Sequence, residues 1–213
     1  MERIESDNVE SIASALGVSV QPPVLNSTWP VDSEVAFFNT VLGLFQEIRH
    51  VIEQDDGHRL LVNRVRAGTR LRSEQEIQIA LKHWLRPMCR ALDIDLNREP
   101  LSGRGYLDFK LSVGRKFRCL VEIKLFNSAK LEDGVGIQLP LYLMADRAKY
   151  GVYIPIFLSS VDRDAAMPEL RELAFRRNIS HQVAIEVFDI CAAKPPSASK
   201  ADSVERRSRY GDM

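Results

Sequence analysis

The stretch GYLDFKLSVGRKFRCLVEIKL, residues 105–125, decides the fold of this chain. Apolar and polar residues alternate along both of its halves, as they do in strands that turn one face toward a core. Gly114 lies between the halves, so the stretch predicts a β-hairpin with strands over 105–112 and 117–125. In such a hairpin Asp108 can lie directly opposite Glu122 if the loop has an odd length, and Lys124 lies on the same face as Glu122.

Helix and strand patterns continue on both sides of this hairpin. Residues 73–92 form a predicted helix, which Ser73 and Glu76 begin as a capping box, and a predicted strand follows at 94–99. Beyond the hairpin the patterns predict a helix near 134–148, a strand at 150–158, a helix near 165–177 and a strand at 182–190. This order predicts an α/β fold, in which a three-strand meander and a parallel strand form a central mixed sheet with helices on both faces.

The first 72 residues are predicted to form a helical N-terminal extension to a domain of residues 73–192. Residues 7–16 have the pattern of a short helix, and the Pro-rich stretch 21–30 is typical of a linker. The apolar stripe of the short helix consists of Val9, Ile12, Ala13 and Leu16. Asp32 or Ser33 begins a long helix to about Gln54, whose apolar side must pack within the chain or against another subunit. Residues 193–213 are rich in Pro, Ser and charge, which predicts a disordered tail.

Composition excludes several classes of protein. Lys and Arg total 29, as do Asp and Glu, and 45% of the residues are hydrophobic, which excludes a wholly disordered or fibrous chain. Because the formal net charge is zero, affinity for nucleic acid would have to come from a local basic surface. One stretch, 59–72, contains five arginines and no acid: Arg59, Arg64, Arg66, Arg70 and Arg72. These side chains could follow a phosphate backbone, or equally form a solvated face with scattered charge.

The sequence carries no signal for export or membrane insertion. The first residues are acidic and polar, unlike a signal peptide, and no run approaches the roughly 18 apolar residues of a membrane span. Cys89, Cys119 and Cys191 form no CxxC pair, which is typical of free thiols in a reducing compartment. We therefore expect a soluble, cytoplasmic protein without a membrane partner.

Asp108 and Glu122 are the candidates for chemistry. Two carboxylates opposite each other on a ladder repel, and a divalent cation between them reverses that effect. Mg²⁺ prefers such hard oxygen ligands and keeps several of its waters. Lys124 beside the ion could hold or deprotonate a water, or stabilise charge developing on a phosphate. The alternative is an ordinary solvated sheet face, on which Glu and Lys two residues apart are common.

A further motif follows, because Gln138 and Tyr142 lie four residues apart on one face of the predicted helix. With Asp108 and the stretch Glu122–Lys124, this pattern resembles the PD-(D/E)xK nuclease superfamily, and within it the RecB-like branch with a QxxxY motif. The resemblance covers residues 73 to about 160. It implies a restriction-endonuclease-like fold with an αβββαβ core, and one or two Mg²⁺ or Mn²⁺ ions as cofactor.

The resemblance also implies a role for each residue of the motifs. Asp108, Glu122 and the main-chain carbonyl of Ile123 would ligate the metal, and Lys124 would position the attacking water. Gln138 and Tyr142 would orient Lys124 or the substrate backbone. The family often adds an acid from the helix before the meander. Glu74 lies within the apolar stripe of that helix and so faces the sheet, whereas Glu76 is better explained as the cap partner of Ser73.

Some features depart from the family pattern. Pro140 lies inside the QxxxY stretch, so we expect the helix to begin near Gly136 or Gln138, with Pro140 in its first turn. The four cysteines of the iron–sulfur members are absent, and so is a GxxxxGK[ST] motif, so ATP-driven translocation would need a second protein.

The resemblance implies a metal-dependent nuclease that hydrolyses DNA, with internal cleavage favoured over attack from ends. The partners it implies are DNA and either a second copy of the chain or a larger complex with an ATPase or helicase-type subunit. A role in restriction, repair or anti-phage defence follows from family association alone. The alternatives are an RNase, and a nuclease-fold subunit that binds nucleic acid or a partner without catalysis.

Overall fold

The computed structural model of this chain describes residues 32–65, 68–98, 101–102, 105–177, 179 and 182–190. The short helix predicted at 7–16, the linker at 21–30 and the tail at 193–213 lie outside these residues, as do Arg66 and Cys191.

The described residues contain the predicted helices and strands in the predicted order, together with a β-hairpin over 62–71 and a short strand at 101–102 that were not predicted. The helices are α1 (Glu34–Gln54), α2 (Glu74–Ala91), α3 (Leu131–Asp133), α4 (Leu139–Asp146) and α5 (Ser160–Arg176), with a 3₁₀ helix at Gly57–Leu60 and a π turn at Gly134–Gln138. The strands are β1 (Val62–Val65), β2 (Gly68–Leu71), β3 (Asp95–Arg98), β4 (Leu101–Ser102), β5 (Gly105–Tyr106), β6 (Phe109–Val113), β7 (Phe117–Leu125), β8 (Tyr150–Phe157), β9 (Val183–Ile185) and β10 (Phe188–Asp189).

The main sheet is mixed and has the order β3-β6-β7-β8-β10, with β9 also paired to β8. Strands β3, β6 and β7 form an antiparallel meander, and β8 lies parallel to β7 after a helical crossover. The hairpin predicted around Gly114 is confirmed, since Val113 pairs with Phe117 and Gly114 has a φ of 54°, in the left-handed region that glycine adopts readily. The α/β class is therefore confirmed.

Helices cover both faces of this sheet. One apolar cluster joins α1 and α2 to sheet residues such as Val121 and Ile154, and a second joins α4 and α5 to residues such as Leu120 and Tyr153. Leu120 and Val121 are neighbours in sequence and belong to different clusters, as the alternation of β7 predicts. The centre of β7 is consequently buried on both faces.

Helix α1 belongs to the first of these clusters. The Ser33 side chain accepts the N–H of Ala36 and begins the helix, as predicted. Its buried side contacts the sheet through large apolar residues, among them Phe37, Phe45 and Ile48. The apolar stripe of this helix is thus covered within the chain. No helix among the described residues combines the length and apolar character needed to cross a membrane.

Several predicted boundaries were wrong. The strand predicted at 105–112 is interrupted at Leu107 and Asp108, so that Leu107 and Phe109 enter different clusters instead of one. The helix predicted near 165–177 begins at Ser160, because the side chain of Ser159 caps it there. The strand predicted at 182–190 is divided into β9 and β10.

Candidate active site

Asp108 lies in the interruption between β5 and β6 and is held there by two hydrogen bonds. Its Oδ2 accepts the main-chain N–H of Ile123 at 2.5 Å, and its Oδ1 accepts Nε2 of Gln78 at 2.6 Å. Phe109, the first residue of β6, pairs with Val121. Asp108 therefore lies just beyond the end of the β6–β7 ladder, level with Glu122. The Asp108 carboxylate, and not a main-chain carbonyl of β6, accepts the N–H of Ile123. The side chain thus replaces a ladder hydrogen bond at the point where the strand is interrupted.

Glu122 and Lys124 lie near the end of β7 and are buried. The Lys124 ammonium donates to Glu122 Oε1 at 2.6 Å and to the carbonyl of Ile123 at 3.0 Å. Glu122 Oε2 is buried and accepts no hydrogen bond from any described residue. The structure therefore brings Asp108, Glu122 and Lys124 together and leaves one carboxylate oxygen without a donor among the described residues.

The two acids of α2 separate as the helical geometry predicts. Glu74 Oε1 lies 3.7 Å from the Lys124 ammonium, at the edge of the same cluster. Glu76 completes the capping box with Ser73 and also pairs with Arg72 at 3.2 Å. The hydrogen bonds from Ser73 hold the pKa of Glu76 below its ordinary value, as expected for a helix-capping carboxylate.

Tyr142 lies near the cluster on the helix of the second layer, and Gln138 lies four residues before it on the same helical segment. Gln138 Oε1 is buried and accepts no hydrogen bond from a described residue. Burial, and then the nearby charge of Glu122, raise the pKa of the Tyr142 hydroxyl. The phenol therefore stays protonated at neutral pH and can donate a hydrogen bond.

The helical segment that carries Gln138 does not begin where we predicted. It begins at Leu131, and the π turn continues it into α4. In that turn the N–H of Leu139 donates to the carbonyl of Gly134, five residues back. Because Pro140 at the start of α4 has no N–H to donate, a turn with displaced hydrogen bonds accommodates it without ending the helix.

Gly134 lets this segment approach the site. A Cβ atom at this position would lie 2.6 Å from Cε2 of Tyr153 and 3.0 Å from Cγ of Lys124. The Tyr153 hydroxyl also donates to the carbonyl of Leu131 at the start of the segment. The far end of α4 is fixed by Asp146, whose carboxylate pairs with Lys110 at 2.6 Å and whose carbonyl accepts Arg118.

The cluster is short of positive charge when its acids are ionised, since Asp108, Glu122 and Glu74 would then share one ammonium, that of Lys124. Burial, and then the charge of Glu122, raise the pKa of Asp108 to about 8. Burial also raises the pKa of Glu122, although Lys124 opposes the shift. Burial alone would lower the pKa of Lys124, but its contact with Glu122 outweighs this effect and raises it. A cation with two charges would balance the three carboxylates and the one ammonium.

Two residues of the site were missed by the sequence analysis. Gln78 holds the Asp108 carboxylate, and its Oε1 is itself buried without a hydrogen bond from a described residue. Tyr153 is fully buried and pairs with Glu122 across β7 and β8. Gln78 could have been found, because it lies four residues after Glu74 and hence on the same face of α2. No comparable local signal marks Tyr153.

The arginine-rich stretch 59–72 does not form one surface among the described residues. Arg59 lies 3.5 Å from Asp56, and Arg72 pairs with Glu76. Arg64 and Arg70 are exposed on the β1–β2 hairpin. Since Arg70 pairs with Asn63, the neighbour of Arg64, the two arginines point to opposite faces of that hairpin.

In the part of the chain that the structure describes, no three His, Cys, Asp or Glu side chains converge into a group that could hold a metal ion by themselves. An ion at this site would therefore also need main-chain carbonyl and water ligands.

Comparison with known proteins adds one finding: a family model described as "Domain of unknown function (DUF8371)" matches residues 37–160, more than half of the chain. No curated protein and no solved structure matches.

Proposed function

The chain belongs to the DUF8371 family, and we propose that it is a metal-dependent nuclease that hydrolyses phosphodiester bonds of DNA. The observation that carries the proposal is the convergence of Asp108, Glu122 and Lys124, with Glu122 Oε2 buried and without a donor among the described residues. The helix, the antiparallel meander and the parallel crossover strand support the restriction-endonuclease-like fold that the motifs imply.

The donors present fit a hard divalent cation. Glu122 and Asp108 offer carboxylate oxygens, and Ile123 offers a carbonyl that already faces a cation, the Lys124 ammonium. These are the ligands that Mg²⁺ and Mn²⁺ prefer, with waters filling the remaining positions. Glu74, at the edge of the cluster, is suited to contact one of those waters or a second ion. When bound, the metal supplies a water of lowered pKa and neutralises charge that develops on the phosphate.

The residues of the chain orient these groups. Gln78 and the N–H of Ile123 fix the direction of the Asp108 carboxylate and, as donors, favour its ionised form. The Lys124 ammonium contacts the same atoms that would face the metal, so it lies within reach of a phosphate oxygen or of the attacking water. Tyr142 retains its proton and is available to donate to the substrate backbone.

DNA incubation tests the proposal. Supercoiled circular and linear DNA are incubated with the full chain and Mg²⁺, Mn²⁺ or EDTA, and products are separated on agarose. We expect nicking of circles with either metal and none with EDTA, since nicking reports internal cleavage. Asp108→Ala, Glu122→Ala and Lys124→Ala should each abolish cleavage while circular dichroism shows a folded chain.

Glu76→Gln is the matched control, because it removes an acid from α2 that caps the helix and lies outside the cluster. It should cleave as the unmodified chain does. Full activity of the Glu122→Ala variant would show that these residues do not form the active site. If the unmodified chain bound DNA without cleaving it, the proposed enzyme activity would be rejected in favour of a nuclease-fold binding subunit. Cleavage of RNA and not of DNA would show that the substrate is RNA.

A further inference from the structure

A groove on the outer side of α4 has no part in the chemistry described above. We propose that it holds residues 7–16 of this same chain, an acidic segment with the pattern of a short amphipathic helix. The proposal is independent of nuclease activity.

The groove is apolar at its base and basic at its rim. Its volume is about 710 Å³, and Ile137, Leu141 and Met144 line it with 45%, 57% and 77% of their surfaces exposed. These three residues are spaced by four and three positions and so share one face of the helical segment. The side chains that line it include two arginines, Arg147 and Arg177. An occupant should therefore combine an apolar stripe with acidic groups.

Residues 1–16 of this chain have that chemistry. They contain four acids and one base, and the predicted helix at 7–16 turns Val9, Ile12, Ala13 and Leu16 to one side. Glu10 lies on the flank of that stripe, where it can meet one of the arginines, and Asp7 is placed to cap the start of the predicted helix. A helix of ten residues is about 15 Å long and presents apolar side chains at the spacing of Ile137, Leu141 and Met144.

The chain enters the described fold beside the groove. Glu34, at the start of α1, pairs with Lys149, and Lys149 is one of the groove-lining residues. Residues 17–31 lie between the predicted helix and this entry point, and fifteen residues can span up to about 50 Å. The segment can therefore reach the groove without leaving its own chain.

Oxidation of Met144 by hydrogen peroxide measures whether the groove is covered. Full-length protein is oxidised under native conditions, and Met144 sulfoxide is followed by peptide mass spectrometry, with the buried Met167 as an internal reference. We expect the double substitution Ile12→Asp with Leu16→Asp to speed Met144 oxidation about tenfold, the factor that corresponds to about 1.4 kcal/mol of docking free energy. Ser14→Asp adds the same kind of charge to the opposite side of the predicted helix and should leave the rate unchanged.

A second variant tests the groove itself. Leu141→Asp should release the segment, whereas Phe175→Asp, at an exposed apolar residue outside the groove lining, should not. Equal Met144 rates in the unmodified chain and in the Ile12, Leu16 variant would overturn the proposal. So would protection that rises with protein concentration, which would assign the groove to a second copy. Protection that requires added DNA would assign it to nucleic acid and likewise overturn the proposal.

Discussion

Raising the pH should destabilise the metal-free chain, because Asp108 loses a proton that the folded state holds. Burial and the neighbouring Glu122 raise the pKa of Asp108 from an ordinary 3.8 to about 8 in the folded state. In the unfolded chain the carboxyl loses its proton near its ordinary pKa. Between these values the folded state binds more protons, so its stability falls as the pH rises. The contribution is fully present below the unfolded pKa and is lost as the pH rises through the folded pKa.

The size of the effect follows from linkage. One whole proton of difference changes the free energy of unfolding by about 1.4 kcal/mol per pH unit, so a rise from pH 5 to pH 8 costs at most roughly 4 kcal/mol. For a chain of this length that is on the order of 10 °C in the melting temperature. Glu122, whose pKa burial also raises, acts in the same direction. The pKa of Lys124 is raised above its already high ordinary value, so this group stays charged throughout the window.

Urea denaturation followed by circular dichroism at pH 5, 6, 7 and 8 in EDTA measures this slope. Asp108→Asn is the comparison, because it removes the titrating group and Gln78 can rotate its amide to accept a hydrogen bond from the new Asn side chain. The variant should lose less stability than the unmodified chain over this range. Mg²⁺ should restore stability to the unmodified chain at pH 8, because it binds the ionised carboxylates. Parallel pH profiles for the two proteins would show that Asp108 does not cause the loss of stability.

Three further predictions concern the elements that hold the site. Gly134→Ala should cost about 1–3 kcal/mol, because its Cβ would overlap Tyr153, whereas Gly136→Ala, with its nearest atom at 3.9 Å, should cost little in the same urea experiment. Ser73→Ala should lower the free energy of unfolding by about 1 kcal/mol through loss of the capping box, and an unchanged value would contradict the assigned cap. Phe45→Ala, which empties a fully buried position between α1 and the sheet, should cost about 3–5 kcal/mol; a cost below 1 kcal/mol would show that α1 is not part of this core.

The parts of the fold that local patterns determine could be predicted. The alternation of residues 105–125 and the position of Gly114 predicted the hairpin and its turn, and the observed register, in which Phe109 pairs with Val121, places Asp108 level with Glu122. Helical geometry likewise separated Glu74, near Lys124, from Glu76 at the cap. Both predictions depend on residues close together in the sequence.

The parts that depend on distant contacts could not be predicted. Helical spacing places Gln78 on the same face of α2 as Glu74, but nothing within α2 identifies Asp108, 30 positions away, as the partner of Gln78. The π turn depends on how closely Gly134 packs against Tyr153, which lies on β8. The arginines of 59–72 form one cluster in the sequence, yet the β1–β2 hairpin turns Arg64 and Arg70 apart.

Binding of Mn²⁺, followed by the loss of the free-ion signal in electron paramagnetic resonance, tests most directly whether Asp108 and Glu122 hold a cation. The unmodified chain at pH 8 should take up Mn²⁺ saturably, and excess Mg²⁺ should displace it. Glu122→Gln should abolish this uptake, and Glu76→Gln should leave it intact. Equal uptake by the Glu122→Gln variant, or no uptake by the unmodified chain, would contradict the account.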